Sequence, residues 1–226
     1  HATLTGMPSR EVLHKICKTI LQYLHRIWIF TAKFSRNIDP DTTHRTGKLS
    51  MKKIMWVLLL SSFSVGFTFP ETIRIPVSGA TRADWNPQSF WYYPWGRSGT
   101  HKGIDIFAQL GTPVVASTSG LVIHAGVDSV GGNVIWILGA KWRLHYYAHL
   151  QQIDISAAHW VKAGDTIGKV GTSGNAKGKA PHLHYAIRTL YPQWWEYQSE
   201  LPQAWDRLFY VDPHAWLITE KRPQTI

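Results

Sequence analysis

Cysteine is almost absent from this chain of 226 residues, since Cys17 is the only one. A single cysteine excludes both an internal disulfide framework and a zinc site built from thiolates. Any bound metal must therefore be held by histidine and carboxylate side chains. The chain also lacks an unbroken apolar run of about 20 residues, the length that a membrane-spanning helix needs.

A stripe of Lys and Arg residues is missing as well, although the formal net charge is +10. Residues 1–70 hold ten Lys/Arg against three Asp/Glu, whereas residues 71–226 hold fourteen against eleven. Most of the excess positive charge therefore lies at the N-terminal side. The mildly basic remainder suits work near an anionic polymer, and we expect no nucleic acid among the partners.

Residues 51–69 have the layout of a secretory signal peptide. Met51-Lys52-Lys53 forms a short basic start, and the apolar run of roughly 14 residues after it has the length of a signal-peptide core. No A-x-A cleavage box follows, so a retained short anchor stays open beside a cleaved signal. The segment predicts export to the periplasm or cell envelope, and it leaves membrane association through this N-terminal segment open.

Residues 1–50 precede that segment, and two interpretations of them stay open. Their apolar residues recur at helical spacing, which is typical of a basic amphipathic helix on a membrane surface. These residues are Val12, Leu13, Ile16, Ile20, Leu21 and Leu24. The interpretation that we prefer is that translation begins at Met51, so that residues 1–50 are an extension outside the translated protein.

Residues 70–226 consist of short β-rich segments separated by glycine-containing turns, with no long helical periodicity before about residue 190. This pattern predicts a mainly β fold, an antiparallel β-sheet or sandwich in one domain, after an N-terminal helical or signal segment. The expected strands cover residues 113–116, 120–125, 133–138, 143–149, 166–170 and 182–189. After Leu190 the sequence is aromatic and irregular, and we expect it to pack back over the sheet.

A histidine pair and a carboxylate have the spacing of metal ligands. His182 and His184 are two apart in a predicted strand, so both imidazoles project from one face while Leu183 packs behind. His101 and Asp105 lie in one short segment, and Gly103 between them permits the backbone to turn. Together the two motifs supply three nitrogen or oxygen ligands, which is the number that catalytic zinc sites use beside an open position.

A further histidine, His149, ends another predicted strand in the sequence Tyr147-Ala148-His149-Leu150. In this order, H-K-G-I-D at 101–105, Y-A-H-L at 147–150 and G-T-S-G-N-A-K-G-K-A-P-H-L-H at 171–184 resemble the lysostaphin/LytM-type zinc endopeptidases. The resemblance covers about residues 75–218. One departure is Tyr185-Ala186, which replaces the more usual Phe-Gly or Phe-Glu after H-L-H.

This resemblance implies the role of each matched residue. His101, Asp105 and His184 would bind one Zn²⁺ ion, and His149 and His182 would transfer protons and stabilise the charged intermediate. The implied function is that of a metalloendopeptidase that cuts peptide cross-links of peptidoglycan, with stem peptides as partners.

Aromatic and basic residues near the first ligand have two interpretations each. Core packing and groove walls are favoured over sugar stacking for the aromatic cluster of Trp85, Phe90, Trp91, Tyr92, Tyr93 and Trp95. Arg97 and Lys102 flank the first ligand, so either could meet a stem-peptide carboxylate or remain a solvated surface charge.

Three alternatives stay open on the sequence alone. The leading one is a catalytically inactive relative that binds peptidoglycan and regulates another hydrolase. A lipoyl- or biotinyl-like β-module would not explain the ordered histidines, and a zinc D-Ala-D-Ala carboxypeptidase would need a Glu before the last ligand. The sequence does not reveal the bond that is cut or the oligomeric state.

Overall fold

The computed structural model describes residues 51–219. The interpretations of residues 1–50 therefore lie outside the described residues, as do residues 220–226. By its internal contacts the chain divides into two units, His1–Phe63 and Ser64–Ile226.

Helix α1, Met51–Thr68, coincides with the segment that the sequence marks as a signal or short anchor. Its apolar side chains, among them Trp56 and Leu60, are exposed. Within residues 51–219, no helix combines the length and the apolar character that crossing a membrane requires.

The rest of the described chain is built from two antiparallel sheets, which confirms the predicted fold class. The larger sheet has the order β1-β9-β5-β4-β3-β7 with β10 paired to β9, and the smaller has the order β2-β8-β6. The strands are β1 Ile104–Phe107, β2 Pro113–Val115, β3 Gly120–Asp128, β4 Gly132–Gly139, β5 Arg143–Leu150, β6 Gln152–Ile153, β7 Trp160–Val161, β8 Thr166–Lys169, β9 His182–Thr189 and β10 Tyr210–Val211. All six expected strands are present, and β1, β6, β7 and β10 were not expected.

Strand β9 is the strand on which the other site elements are assembled. β5 pairs along one of its edges, while β1 and β10 follow each other along the opposite edge. Leu183, Tyr185 and Ile187 are fully buried, so one face of β9 packs into the core. Because side chains alternate along a strand, His182 and His184 share the other face.

The core lies between the two sheets and is closed by the C-terminal segment. Val114 and Ile167 of the smaller sheet join Ile135 and Leu183 of the larger one in a single apolar cluster. Two short helices lie on either side of β10 in the sequence: α2 Ala204–Arg207 before it and α3 Pro213–Leu217 after it. Trp216 and Leu217 of α3 belong to the same cluster, so the irregular C-terminal segment does pack against the sheet.

A hydrogen-bonded polar cluster is enclosed in this core. The Tyr147 hydroxyl lies 2.6 Å from Ser117 Oγ, and the Tyr185 hydroxyl donates to the same oxygen over 2.8 Å. Tyr185 Oη also lies 2.8 Å from His145 Nδ1. His145, which has no ligand spacing in the sequence, therefore has a core role, and its hydrogen bonds join β5 and β9 to the loop that holds Ser117.

Candidate metal centre

The register between β1 and β9 creates the centre of the site. Asp105 lies directly opposite His184, and Phe107 lies opposite His182. His101 lies just before β1, separated from it by Lys102 and Gly103, and its side chain reaches the same point. Two segments about eighty residues apart in sequence thus converge because they are neighbours in an antiparallel ladder.

Three side-chain atoms meet there at short range. Asp105 Oδ1 lies 2.8 Å from His184 Nδ1 and 3.1 Å from His101 Nε2. The two imidazole nitrogens are themselves 3.1 Å apart. Each residue offers one ligand atom, and these atoms lie within 4.8 Å of one another. The three residues that the sequence proposes as ligands are therefore brought together.

Gly103 lies at a bend of the backbone, as the sequence suggested, although its φ is not in the left-handed region. A Cβ at this position would lie 2.4 Å from the Tyr185 carbonyl oxygen and 2.9 Å from His184 Cε1. Close packing leaves no room for a methyl group, so the close approach of this segment to β9 is a second reason for the glycine.

Backbone and ring contacts fix the orientation of the His101 ring. His101 Nδ1 lies 3.0 Å from the Ser89 carbonyl oxygen, which can only accept, so Nδ1 carries the proton and donates. Nε2 is then left with its lone pair directed at Asp105. Trp95 stacks on the imidazole with ring centroids 4.2 Å apart. The Ser89 hydrogen bond and the Trp95 stacking together hold the His101 ring in the tautomer and the plane that metal binding requires.

His149 and His182 lie beside the three converging residues. Their ring centroids are 5.1 Å apart, and the His149 and His184 centroids are 5.9 Å apart. His182 Nε2 lies 4.0 Å from Asp105 Oδ2. The strand pairing explains this position, because Ala148, the neighbour of His149, is opposite His184.

Both of these histidines use Nδ1 to bind main-chain carbonyls. His149 Nδ1 lies 3.0 Å from the Ser173 oxygen and 3.1 Å from that of Gly131, and His182 Nδ1 lies 2.7 Å from the Ala180 oxygen. Each Nδ1–H must donate, so each Nε2 is the basic nitrogen. His149 also has a φ of 63°, a left-handed conformation that costs free energy and is typical of functional sites.

The electrostatics keep Asp105 charged and two of the imidazoles neutral. Burial alone would raise the pKa of Asp105, but the close His101 and His184 rings hold that pKa well below its usual range. Burial, followed by the nearby His184 and His182, lowers the pKa of His149 to about 4. Burial also lowers the pKa of His184 despite its contact with Asp105. The site therefore presents one carboxylate beside the neutral imidazoles of His149 and His184 near neutral pH.

The chemistry of these donors fits a divalent metal. A lone pair on His101 Nε2 faces a carboxylate oxygen at 3.1 Å, and two acceptors at that distance repel unless a cation or a proton lies between them. Two imidazoles and one carboxylate are a common ligand set for catalytic zinc. The residues present at this centre therefore fit a metal ion.

Several contacts at the site had no signal in the sequence. Lys102 Nζ bonds Asp206 Oδ2 over 2.6 Å, so this cation is paired within the protein and not free for a substrate. Gln203 binds the loop before the first ligand: Thr100 Oγ1 donates to its Oε1 over 2.6 Å, and its Nε2 donates to the Ser98 oxygen over 2.9 Å. The sequence could not show this because residues 203–206 meet residues 98–102 only after folding.

The aromatic cluster divides between the two interpretations. Trp85 is buried, and its indole N–H donates to His214 Nδ1 over 3.1 Å. Tyr92, Tyr93 and Trp95 are exposed. Tyr92 and Trp95 line a groove that also contains Asp105, so groove walls account for this part of the cluster.

Comparison with known proteins places these motifs in a family context. The sequence profile described as Peptidase family M23 matches residues 99–196. Lysostaphin of Staphylococcus simulans is 38% identical over 96 residues, which are 41% of this chain and 19% of lysostaphin. Peptidoglycan DD-endopeptidase ShyC of Vibrio cholerae is 36% identical over 90 residues, which are 40% of this chain and 20% of ShyC.

A solved structure matches a larger part of this chain than these two relatives do. The catalytic domain of the antimicrobial peptidase lysostaphin from Staphylococcus simulans is 30% identical, over 57% of this chain and 89% of that domain, with a TM-score of 0.47. The chain spans only about a fifth of the length of the full-length relatives that it matches.

Proposed function

Because the chain belongs to peptidase family M23, we propose that it is a zinc metalloendopeptidase that hydrolyses peptide cross-links of bacterial peptidoglycan. The observation that carries the proposal is the convergence of His101, Asp105 and His184 with two further histidines at their side. The similarity to ShyC, a peptidoglycan DD-endopeptidase, supports peptidoglycan as the substrate.

In this proposal His101 Nε2, Asp105 Oδ1 and His184 Nδ1 hold the ion. A bound zinc ion supplies Lewis acidity, which lowers the pKa of a water molecule to about 7 and polarises a peptide carbonyl. The hydrogen bond from His101 Nδ1 to the Ser89 carbonyl oxygen and the stacking of Trp95 on the ring keep the first ligand in place during turnover.

His149 and His182 perform the proton transfers. Their Nδ1 atoms are committed to backbone carbonyls, so each Nε2 can accept a proton from the attacking water. Because burial leads the causes that lower the pKa of His149 to about 4, its imidazole is neutral and able to act as a base near pH 7. Once protonated, the same ring can donate to the leaving amine and stabilise a developing oxyanion.

The place of action follows from the proposed substrate. Peptidoglycan lies outside the cytoplasmic membrane, so an enzyme that cuts it must be exported. We propose that residues 51–69 are a signal peptide or short anchor, and that residues 70–226 form the catalytic domain with an aromatic C-terminal tail.

A digestion of purified sacculi tests the function. The protein should clear their turbidity, lose that activity with a metal chelator and regain it when zinc is added back. Mass spectrometry should show cross-linked muropeptide dimers converted to monomers. Release of single terminal amino acids would instead indicate a carboxypeptidase, and intact dimers with bound protein would indicate an inactive regulator.

Variants separate the metal ligands from the proton-transfer residues. Asp105→Ala or His184→Ala should lose zinc and activity together. His149→Ala or His182→Ala should retain zinc while turnover falls by about 10²–10⁴-fold, the usual contribution of general acid–base catalysis. His159→Ala, which alters an exposed histidine bonded to Ser156, is the control and should remain fully active. A fully active His182→Ala protein would refute the role given to His182.

A further inference from the structure

A second cavity lies apart from the groove that contains Asp105. It has a volume of about 340 Å³ and opens between the segment around Phe90 and the C-terminal residues. We call it the Arg207 cavity, and its walls include Phe90, Trp91, Gln193, Arg207, Tyr210 and Trp216. Five of these six residues lie outside residues 99–196, the range that the family profile matches.

Arg207 is held in position without a carboxylate partner. Its guanidinium carbon lies 4.4 Å from the centre of the Trp91 ring, and its Nε donates to the Pro202 oxygen over 3.1 Å. It forms no ion pair with a carboxylate of residues 51–219. Stacking and one hydrogen bond fix the plane of the group, while the two Nη atoms keep their N–H donors for a ligand.

The other charged groups of the wall are two carboxylates. The Asp212 carboxylate accepts the His214 amide over 2.8 Å at the start of α3. Glu196 also borders the cavity and attracts Arg207 electrostatically, but its side chain is exposed to solvent, where water screens its charge. The Nη groups of Arg207 are therefore the charged donors that the wall offers to a ligand.

The cavity lies within reach of a peptide bound at the metal centre. The Trp91 amide donates to the His101 carbonyl over 2.7 Å, so the wall and the first metal ligand share a backbone contact. Val211 of the cavity pairs with Ile187, three residues beyond His184 on β9. At about 3.4 Å per residue, the backbones at residues 184 and 187 are roughly 10 Å apart along β9, so the cavity borders the strand that carries two of the site histidines.

We propose that the Arg207 cavity binds a free carboxylate of the peptidoglycan stem peptide and so positions the cross-link at the metal centre. The two Nη groups of the planar guanidinium donate to the carboxylate, while Trp91 and Phe90 contact the peptide beside it. This inference rests on the proposed function and adds to it a recognition site that selects among stem peptides by charge.

The test compares two cross-linked stem-peptide dimers, one with its free carboxylates intact and one with them converted to carboxamides. For the wild-type zinc protein, KM should be about tenfold or more lower for the carboxylate dimer, as a charge-assisted hydrogen bond predicts, with similar kcat. Arg207→Gln should raise KM for the carboxylate dimer until the two substrates are cleaved equally. Arg207→Lys, which keeps the charge but lacks the planar fork, should recover part of the preference.

Arg82→Gln is the matched control, because Arg82 also donates to a backbone carbonyl, that of Ile218 over 3.0 Å, but lies outside the cavity. It should leave the preference intact. Equal KM values for the two dimers in the wild-type protein, or a preference that survives in Arg207→Gln, would overturn the proposal.

Calorimetric binding of both dimers to the zinc-loaded His149→Ala protein separates this inference from the proposed function. If wild-type protein cleaves neither dimer while tighter carboxylate binding persists, the hydrolase proposal fails and the cavity assignment stands. If cleavage occurs without any difference in binding, the cavity assignment fails alone.

Discussion

The lack of a side chain at Gly103 allows the chain before β1 to approach β9 closely beside the metal centre. Gly103→Ala would place a Cβ 2.4 Å from the Tyr185 oxygen and 2.9 Å from the His184 ring. Overpacking of this kind typically costs about 1–3 kcal/mol, and here it also displaces a metal ligand. We expect a lower melting temperature and at least about tenfold weaker zinc binding, as when an outer-shell contact is lost.

Gly126→Ala is the control for this substitution, measured by zinc titration and thermal unfolding. Its Cβ would meet only the tip of the His124 side chain, at 3.2 Å, which can move. We expect a change in zinc affinity below about twofold. Equal zinc affinity in Gly103→Ala and wild-type protein would contradict the close-approach argument.

His145 predicts a dependence of stability on pH. Burial, with a smaller effect of Arg143, lowers its pKa from 6.5 to about 3. As the pH falls through 6.5 the unfolded chain takes up a proton on this side chain, whereas the folded protein does so only near pH 3. The free energy of unfolding should therefore fall between these two values, by up to about 1.4 kcal/mol per pH unit, with no such effect above pH 6.5.

Urea unfolding of wild-type and His145→Asn proteins between pH 4.5 and 7.5 checks this prediction. Asparagine keeps a polar group near the Nδ1 position that faces the Tyr185 hydroxyl, but it cannot be protonated. The variant should be less stable overall and should lose stability more slowly as the pH falls. Parallel curves for the two proteins would contradict the account of His145.

At the level of elements, the C-terminal segment braces the loop that carries the first metal ligand. The Thr100 side chain is fully buried, and its hydroxyl has Gln203 as its partner. Gln203→Ala would leave this hydroxyl unpaired, at a cost of about 1–3 kcal/mol. We expect a lower melting temperature and several-fold weaker zinc binding, since His101 follows Thr100 directly.

Gln88→Ala, at an exposed glutamine, is the matched control for Gln203→Ala. It should change neither the melting temperature nor the zinc affinity. Differential scanning calorimetry and zinc titration measure both effects. A Gln203→Ala protein with wild-type melting temperature and zinc affinity would show that the C-terminal segment does not support the ligand loop.

The strands that could be predicted are those with apolar residues bounded by glycine turns, such as β3 and β4. The strands that could not be predicted depend on a distant partner: β10 has two residues and exists because it pairs with β9. The segment before Asp105 illustrates the same limit. Its H-x-x-x-D spacing indicated a ligand pair, but the close approach of Gly103 to Tyr185 and His184 of β9 could not be predicted from that spacing.

For the molecule as a whole, sequence motifs predicted the candidate metal ligands, whereas the groups that orient these ligands could be identified only from tertiary contacts. His101, Asp105 and His184 have recognisable spacing, whereas the Ser89 carbonyl that fixes His101 is a backbone atom that no side-chain pattern can reveal. Arg207 likewise belongs to no sequence motif, and only its contacts with Trp91 and Pro202 in the folded protein show how its side chain is held. The roles given to the five site residues remain predictions.

The central claim is that one divalent ion binds where two distant segments meet. The most direct measurement is an anomalous difference map from crystals of the zinc-loaded protein, collected on both sides of the zinc absorption edge. We expect a single strong peak in contact with His101 Nε2, Asp105 Oδ1 and His184 Nδ1, and no peak in the Asp105→Ala protein. A map with no peak among these three atoms, or with its peak at other residues, would contradict it.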